Sequence, residues 1–147
     1  MKKERQYISK VHEKLPKDIY KWNINDFYAG GVPDAFYRKL NHSGVPLWVE
    51  YKLIKTLPKR DNTLVKPDLS SQQLIWLNQA ISSNEKALVI IGVENEKQTT
   101  IGKLGLILGP HEWEHGIPKV EAEKRLLCYQ QVADYINLIT SNYIAEK

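Results

Sequence analysis

The run "ALVIIGV", Ala87 to Val93, is an unbroken apolar stretch of strand length set between the polar segments "SSNEK" and "ENEK". It is far shorter than the roughly 20 apolar residues that a membrane span requires. A strand with side chains on both faces apolar must be covered on both faces, which is the situation of a central strand in a sheet with helices on either side. An α/β architecture is therefore expected, and the flanking segments supply the helices. Upstream, Ser70 or Ser71 can cap a helix running to about Ser83, with Leu74, Ile75, Leu77, Ala80 and Ile81 facing inward.

The other elements follow from periodicity and punctuation. Tyr7, Ile8, Val11 and Leu15 form the stripe of a short helix over 3–15, ended by Pro16. "DIYKWNIN" alternates Ile19, Lys21 and Asn23 against Tyr20, Trp22 and Ile24, the pattern of a first strand, and Gly30 and Gly31 then break the chain. "PDAFYRKL" reads as a second strand, "NHSG" as a turn, and "VPLWVEYKLI" as a third strand of an antiparallel meander. Residues 55–69 hold two prolines and much charge and read as a loop. After the buried strand come a hairpin-like pair around "TTIGKLGLIL" and a long helix from Val120 to about Ile144. Its stripe is Tyr129, Val132, Ala133, Ile136, Ile139 and Tyr143. This stripe can pack on the sheet or on a second subunit. The core order is α-β-β-β-α-β over about 4–93, with an appendage at about 98–147; 147 residues suit one domain.

Bulk properties exclude several classes. The single cysteine, Cys128, cannot form an internal disulfide, and no Cys and His cluster has zinc-site spacing, so a reducing compartment is expected. "MKKERQYISK" lacks the apolar core of a secretion signal, which with the absence of a spanning run leads to the expectation of a cytoplasmic protein without membrane partners. The formal charge of +4 favours a polyanionic partner.

Charged residues interrupt the third strand at one place, "WVEYK". Glu50 and Lys52 are two apart and project from one face. If the second and third strands pair through the turn at 41–44, Asp34 comes close to Glu50. Two neighbouring carboxylates on a half-buried sheet repel unless a cation lies between them. Oxygen ligands without His or Cys select Mg²⁺ or Mn²⁺. Such an ion with an ammonium beside it is equipped for phosphodiester hydrolysis.

"GGVPDAFYRKL" followed by "WVEYK" resembles the P-D…(D/E)-x-K nuclease superfamily, with Asp34, Glu50 and Lys52 on the motif positions. "LSSQQLIWLNQA" resembles the glutamine helix of the virus-type replication-repair (VRR-NUC) nucleases and their Holliday-junction-resolvase-like relatives. The resemblance covers roughly 4–93 and implies a restriction-endonuclease-like core. It implies metal ligation by Asp34, Glu50 and the backbone carbonyl of Tyr51, a catalytic lysine at Lys52, and an assisting glutamine at Gln73. Glu4 on the early helix would close the site or bind a second ion. Tyr51 is bulkier than the residue usual between the glutamate and the lysine, and the 55–69 loop is long for the family. The implied function is an Mg²⁺-dependent (or Mn²⁺-dependent) endonuclease on branched DNA in replication, recombination or repair, in a viral or mobile-element setting. Symmetric cutting of two strands implies a homodimer.

Plainer readings compete for each residue. Asp34 can be a turn aspartate after proline; Glu50 and Lys52 can be a surface ion pair worth under about 1 kcal/mol. Gln72 can replace Gln73, and Glu13 can replace Glu4. Lys55, Lys59, Arg60 and Lys66 are either a solubilising loop or a phosphate grip, with Arg38 and Lys39 extending the patch. A non-catalytic DNA-binding scaffold is the alternative on the same fold. "HEWEH", His111 to His115, matches the H-E-x-x-H zinc-protease pattern, but "GP" before it and "GIP" after leave room for little more than one turn, and no further ligand precedes Glu121 or Glu123.

Overall fold

The computed structural model describes residues 2–24, 30–40, 44–94 and 104–141. Helix α1 (Lys2–Glu13) precedes strands β1 (Ile19–Asn23), β2 (Ala35–Lys39) and β3 (Leu47–Ile54). There follow a two-residue strand β4 (Leu64–Val65), helix α2 (Ser71–Ser82) and strands β5 (Lys86–Val93) and β6 (Gly105–Leu108). The chain then forms α3 (Pro110–His115), β7 (Ile117–Pro118), α4 (Lys119–Lys124) and α5 (Tyr129–Ser141). The five-stranded sheet has the order β1-β2-β3-β5-β6. β3 and β5 are parallel, and the other neighbours are antiparallel. A parallel pair needs a crossover, which the 55–69 segment and α2 provide.

Each side of β5 meets a separate core. Leu88 and Ile90 pack with Tyr7, Ile8 and Val11 of α1 and Val132, Ala133 and Ile136 of α5. Val89, Ile91 and Val93 pack with Leu77 and Ala80 of α2 and Trp113 of α3. The apolar run is thus explained as a strand buried between two helical layers. Among the described residues no helix is long and apolar enough to cross a membrane.

Three expectations change. Ile75 is exposed, because Leu77 and Ala80 carry the buried face of α2 and Ile75 lies off that line. The C-terminal pairing is β6 against β5, while 99–103 and Tyr143 lie outside the described residues. The helix expected from Val120 is two helices, α4 and α5. Arg125 closes the first, and Leu127 bridges back to Gly105 with backbone bonds of 2.7 and 2.9 Å before α5 begins. The α5 stripe packs on its own sheet, which answers which of its two expected partners it takes.

Candidate active site

The site forms where β2 ends against the middle of β3. The β2 ladder runs from Tyr37↔Leu47 to Ala35↔Val49, so Asp34 comes up beside Glu50. Beyond that point Tyr51 has its N–H directed at β2 with no strand to receive it, and Oδ2 of Asp34 accepts it at 2.9 Å. A strand residue sends its N–H and C=O to the same edge. The Tyr51 carbonyl therefore faces the edge where Asp34 lies.

The turn before Asp34 is shaped by α2. Gly31 has φ +89°, and a Cβ there would lie 2.3 Å from the carbonyl oxygen of Gln72. Only glycine allows the P-D segment to approach the first turn of α2 this closely. That turn presents Gln73. Ser70 caps α2 by accepting from the Gln73 N–H at 3.1 Å, and Oε1 of Gln73 accepts from the Ser70 N–H at 3.0 Å, a reciprocal capping box. With Oε1 committed to the cap, Nε2 is left to donate to Oε2 of Glu50 at 3.0 Å. A glutamate at 73 could cap equally well, but it would direct a carboxylate at Glu50.

Glu50 is 3% exposed. Its Oε2 also receives the Lys52 ammonium at 3.8 Å. Burial and the neighbouring Asp34 push the Glu50 carboxyl up to about 9, against the opposing pull of Lys52, and Glu4 adds to the rise. Asp34 is raised by burial, against the Tyr51 N–H, a hydrogen bond shared with Glu50 and the Lys52 charge. Glu4, in the first turn of α1, is raised by burial and then by Asp34. Three carboxylates thus act on one another beside the Lys52 ammonium, and Asp34 and Glu50 form an enclosed pair whose carboxyls are both raised. Such a pair is short of positive charge.

Asp34, the Tyr51 backbone, Glu50, Lys52 and Gln73 are brought together by direct contact, and Glu4 bonds to none of them but lies near enough for Asp34 to raise its carboxyl. Gln72 packs on Gly30 instead, and Glu13 is the last residue of α1, at the opposite end of the helix from Glu4. Tyr51 is bulky because its ring belongs to the opposite core. Its hydroxyl lies 2.6 Å from that of Tyr37, which lies 2.7 Å from Nε2 of His12. Of the two serines expected to cap α2, Ser70 does so; the buried Tyr51–Tyr37–His12 chain and the bond that Gln73 returns to Ser70 escaped the sequence reading.

The basic residues do not form one patch. Lys55, Lys59, Arg60 and Lys66 are exposed on the 55–69 segment, which Leu57 and Val65 anchor in the core and Lys119 holds through Thr63 and Asp61. Arg38 stands at the register of Pro46, the other end of β3. Nine residues at about 3.3 Å each put it about 30 Å from Lys55 along the strand. Lys39 faces away, bonded to Asp18 at 3.2 Å and to Asn137. The protease pattern also fails on geometry. Arg125 grips Glu112 in a fork of 2.7 and 2.9 Å, and the same carboxylate caps α3 by accepting from the Gly109 N–H at 3.1 Å. Arg125 holds the Glu112 carboxyl below its ordinary range, the reverse of a general base.

Among the described residues no three His, Cys, Asp or Glu side chains form a ready metal cage. The donor chemistry at the centre nevertheless fits a hard cation: two carboxylates and a backbone carbonyl, all oxygen, with a charge deficit between them.

The five-stranded mixed sheet with helices on both faces is a restriction-endonuclease-like fold. No protein-family model matches the sequence, and no curated protein matches it significantly. Among solved structures, the chain is similar to Hjc, a Holliday junction resolvase from the archaeal hyperthermophile Archaeoglobus fulgidus. The TM-score is 0.53 over 92% of this chain and 98% of that one, at 14% identity, a likeness of fold.

Proposed function

We propose that the protein is a divalent-metal-dependent deoxyribonuclease that cuts branched DNA in recombination or repair. The observation that carries this reading is the meeting of Asp34, Glu50, Lys52 and Gln73 at one edge of β3. The similar fold of a Holliday junction resolvase supports the substrate class. Asp34, Glu50 and the Tyr51 carbonyl would hold Mg²⁺ or Mn²⁺, with Glu4 serving a second ion or closing the site. The bound ion supplies a water of lowered pKa and neutralises charge on the phosphate. Lys52 places its ammonium beside the oxygens on which negative charge grows. Gln73 holds Glu50 in its rotamer through Nε2, and the cap holds Gln73. The exposed cations of 55–69 would grip phosphates outside the cut, giving affinity that falls with salt.

The test is cleavage of four-way junction, flap, linear duplex and single-stranded DNA with Mg²⁺, Mn²⁺ or EDTA, beside Lys52→Ala. Metal-dependent cutting of branched substrates, reduced about 10²–10³-fold in the variant, is expected. Calorimetry should show divalent-ion binding that Asp34→Asn loses. Cleavage in EDTA, or undiminished in Lys52→Ala, would place the activity elsewhere; DNA binding without cleavage of any substrate would leave a scaffold on this fold.

A further inference from the structure

Helix α2 covers the Glu50 face of the sheet over β3 and β5, through Trp76, Leu77 and Ala80. On β1 and β2 the same face is aromatic. The register sets Trp22 beside Phe36 and Phe36 beside Trp48. Ring centroids are 6.4 Å apart for Trp22 and Phe36, 4.7 Å for Phe36 and Trp48, and 4.9 Å for Trp48 and Trp76. A continuous row therefore runs from the edge strand to α2. Trp48 is fixed by its indole N–H, which donates to Glu85 at 3.0 Å. It precedes Glu50 by two residues on the same face, about 7 Å along the strand. At the outer end the rings are open: Trp22 is 47% exposed and Tyr20 42%. The Arg38 guanidinium lies 5.7 Å from the centre of the Tyr20 ring.

Large exposed rings on an edge strand are an aggregation liability that proteins retain for a use. Two kinds of occupant suit an apolar face, and charge separates them. A two-fold contact between copies would bring Arg38 toward its own counterpart, like charge against like. A nucleic acid instead brings phosphates to Arg38 and flat base faces to the rings, and base stacking on aromatic side chains is sequence-tolerant. We propose that the Trp22, Phe36 and Trp48 row is a platform on which unpaired bases of the DNA substrate stack beside the scissile phosphate. The proposal rests on the nuclease reading and refines it: the substrate feature recognised is unstacked bases at a branch or single-stranded flank.

The test is fluorescence anisotropy in EDTA with a labelled oligothymidylate of about 15 nucleotides and a blunt duplex of the same length. Trp22→Ala should weaken single-strand binding at least about fivefold and leave duplex binding within about twofold, the electrostatic part being intact. Trp22→Phe, which keeps a ring, should restore most of the affinity. Equal losses on both DNAs, no loss on either, or native protein that ignores the oligonucleotide would overturn the platform. So would a native dimer that Trp22→Ala dissociates without altering DNA affinity. Because EDTA removes any need for cleavage, the two readings fail separately. Trp22-dependent binding by a protein that cuts nothing with Mg²⁺ sinks the nuclease; metal-dependent cutting indifferent to Trp22 sinks only the platform.

Discussion

A carboxylate as enclosed as Glu50 ordinarily costs a domain stability, since burying a charge is unfavourable without a close partner. Its direct partners are the amide of Gln73 and an ammonium at 3.8 Å, while Asp34 opposes it. The protein keeps an acid that holds its proton up to about 9, and that is sensible where a cation is meant to displace the proton. Glu50→Gln should therefore raise the stability of metal-free protein, by about 1–2 kcal/mol in urea titrations above neutrality, while abolishing divalent-ion binding in calorimetry and cleavage with it. A variant that is both less stable and still metal-binding would mean that Glu50 is structural. For the native protein, divalent-ion affinity should climb as pH rises toward 9, because each ion bound must displace the Glu50 proton.

The β2–β3 ladder and the first turn of α2 convert those residues into a site, and they differ in how much of this is legible in the sequence. Alternation placed Glu50 and Lys52 on one face, and the expected antiparallel pairing of the second and third strands, which the β2–β3 register shows, brings Asp34 opposite Glu50. Gln73 was legible through the resemblance of "LSSQQLIWLNQA" to the family's glutamine helix, with Gln72 left open, and the capping box with Ser70, seen only in the structure, is what fixes the direction of the amide. The aromatic row also has a sequence signal, rings at alternate positions 20 and 22 matched by 36 and 48, but it needs the strand register to be read as one surface. The break between α4 and α5 has none, because the stripe at 132, 133 and 136 continues the helical period. Arg125 and Leu127 leave the helix for partners far away in sequence, Glu112 and Gly105. The junction that matters most is Gly31 against Gln72. Gly31→Ala puts a Cβ 2.3 Å from a backbone oxygen at φ +89°, so it should destabilise by about 1–3 kcal/mol, read as a lower urea midpoint at unchanged slope. Metal affinity should fall with it, because the P-D segment must move away from α2. Gln73→Glu should leave the cap and thermal stability near native in saturating Mg²⁺ yet lower stability without metal, by adding a fourth carboxylate at Glu50.

Across the whole chain, the layers on the two faces of the sheet titrate with opposite sign. On the α1 side, His12 is bonded to Tyr37, and burial holds its ring at about 4 against an ordinary 6.5. Between those values the unfolded chain takes up a proton that the folded one refuses. His12 therefore contributes stability that is complete above 6.5 and lost as pH falls toward about 4. Glu50 on the other face is raised from 4.5 to about 9, so its contribution is complete below 4.5 and lost as pH rises toward about 9. Each changes stability by at most about 1.4 kcal/mol per pH unit. Between 4.5 and 6.5 the two slopes oppose each other, and above 6.5 Glu50 acts without His12. Metal-free protein should thus show a shallow stability profile in the lower window and a decline in the upper one; Asp34 and Glu4, raised from 3.8 and 4.5, add their own fall just above those values, at the acid end of the lower window. The two windows are separable by substitution. His12→Gln, which keeps a hydrogen-bonding side chain near Tyr37, should tilt the lower window into a decline with rising pH and leave the upper one alone. Glu50→Gln should flatten the upper window and expose the His12 rise below it. Saturating Mg²⁺ should reverse the upper decline in native protein and do nothing for Glu50→Gln. Urea midpoints across the range for the three proteins, with and without Mg²⁺, decide the matter. An upper decline that survives in Glu50→Gln would show that the site's carboxylates are not what the fold strains against.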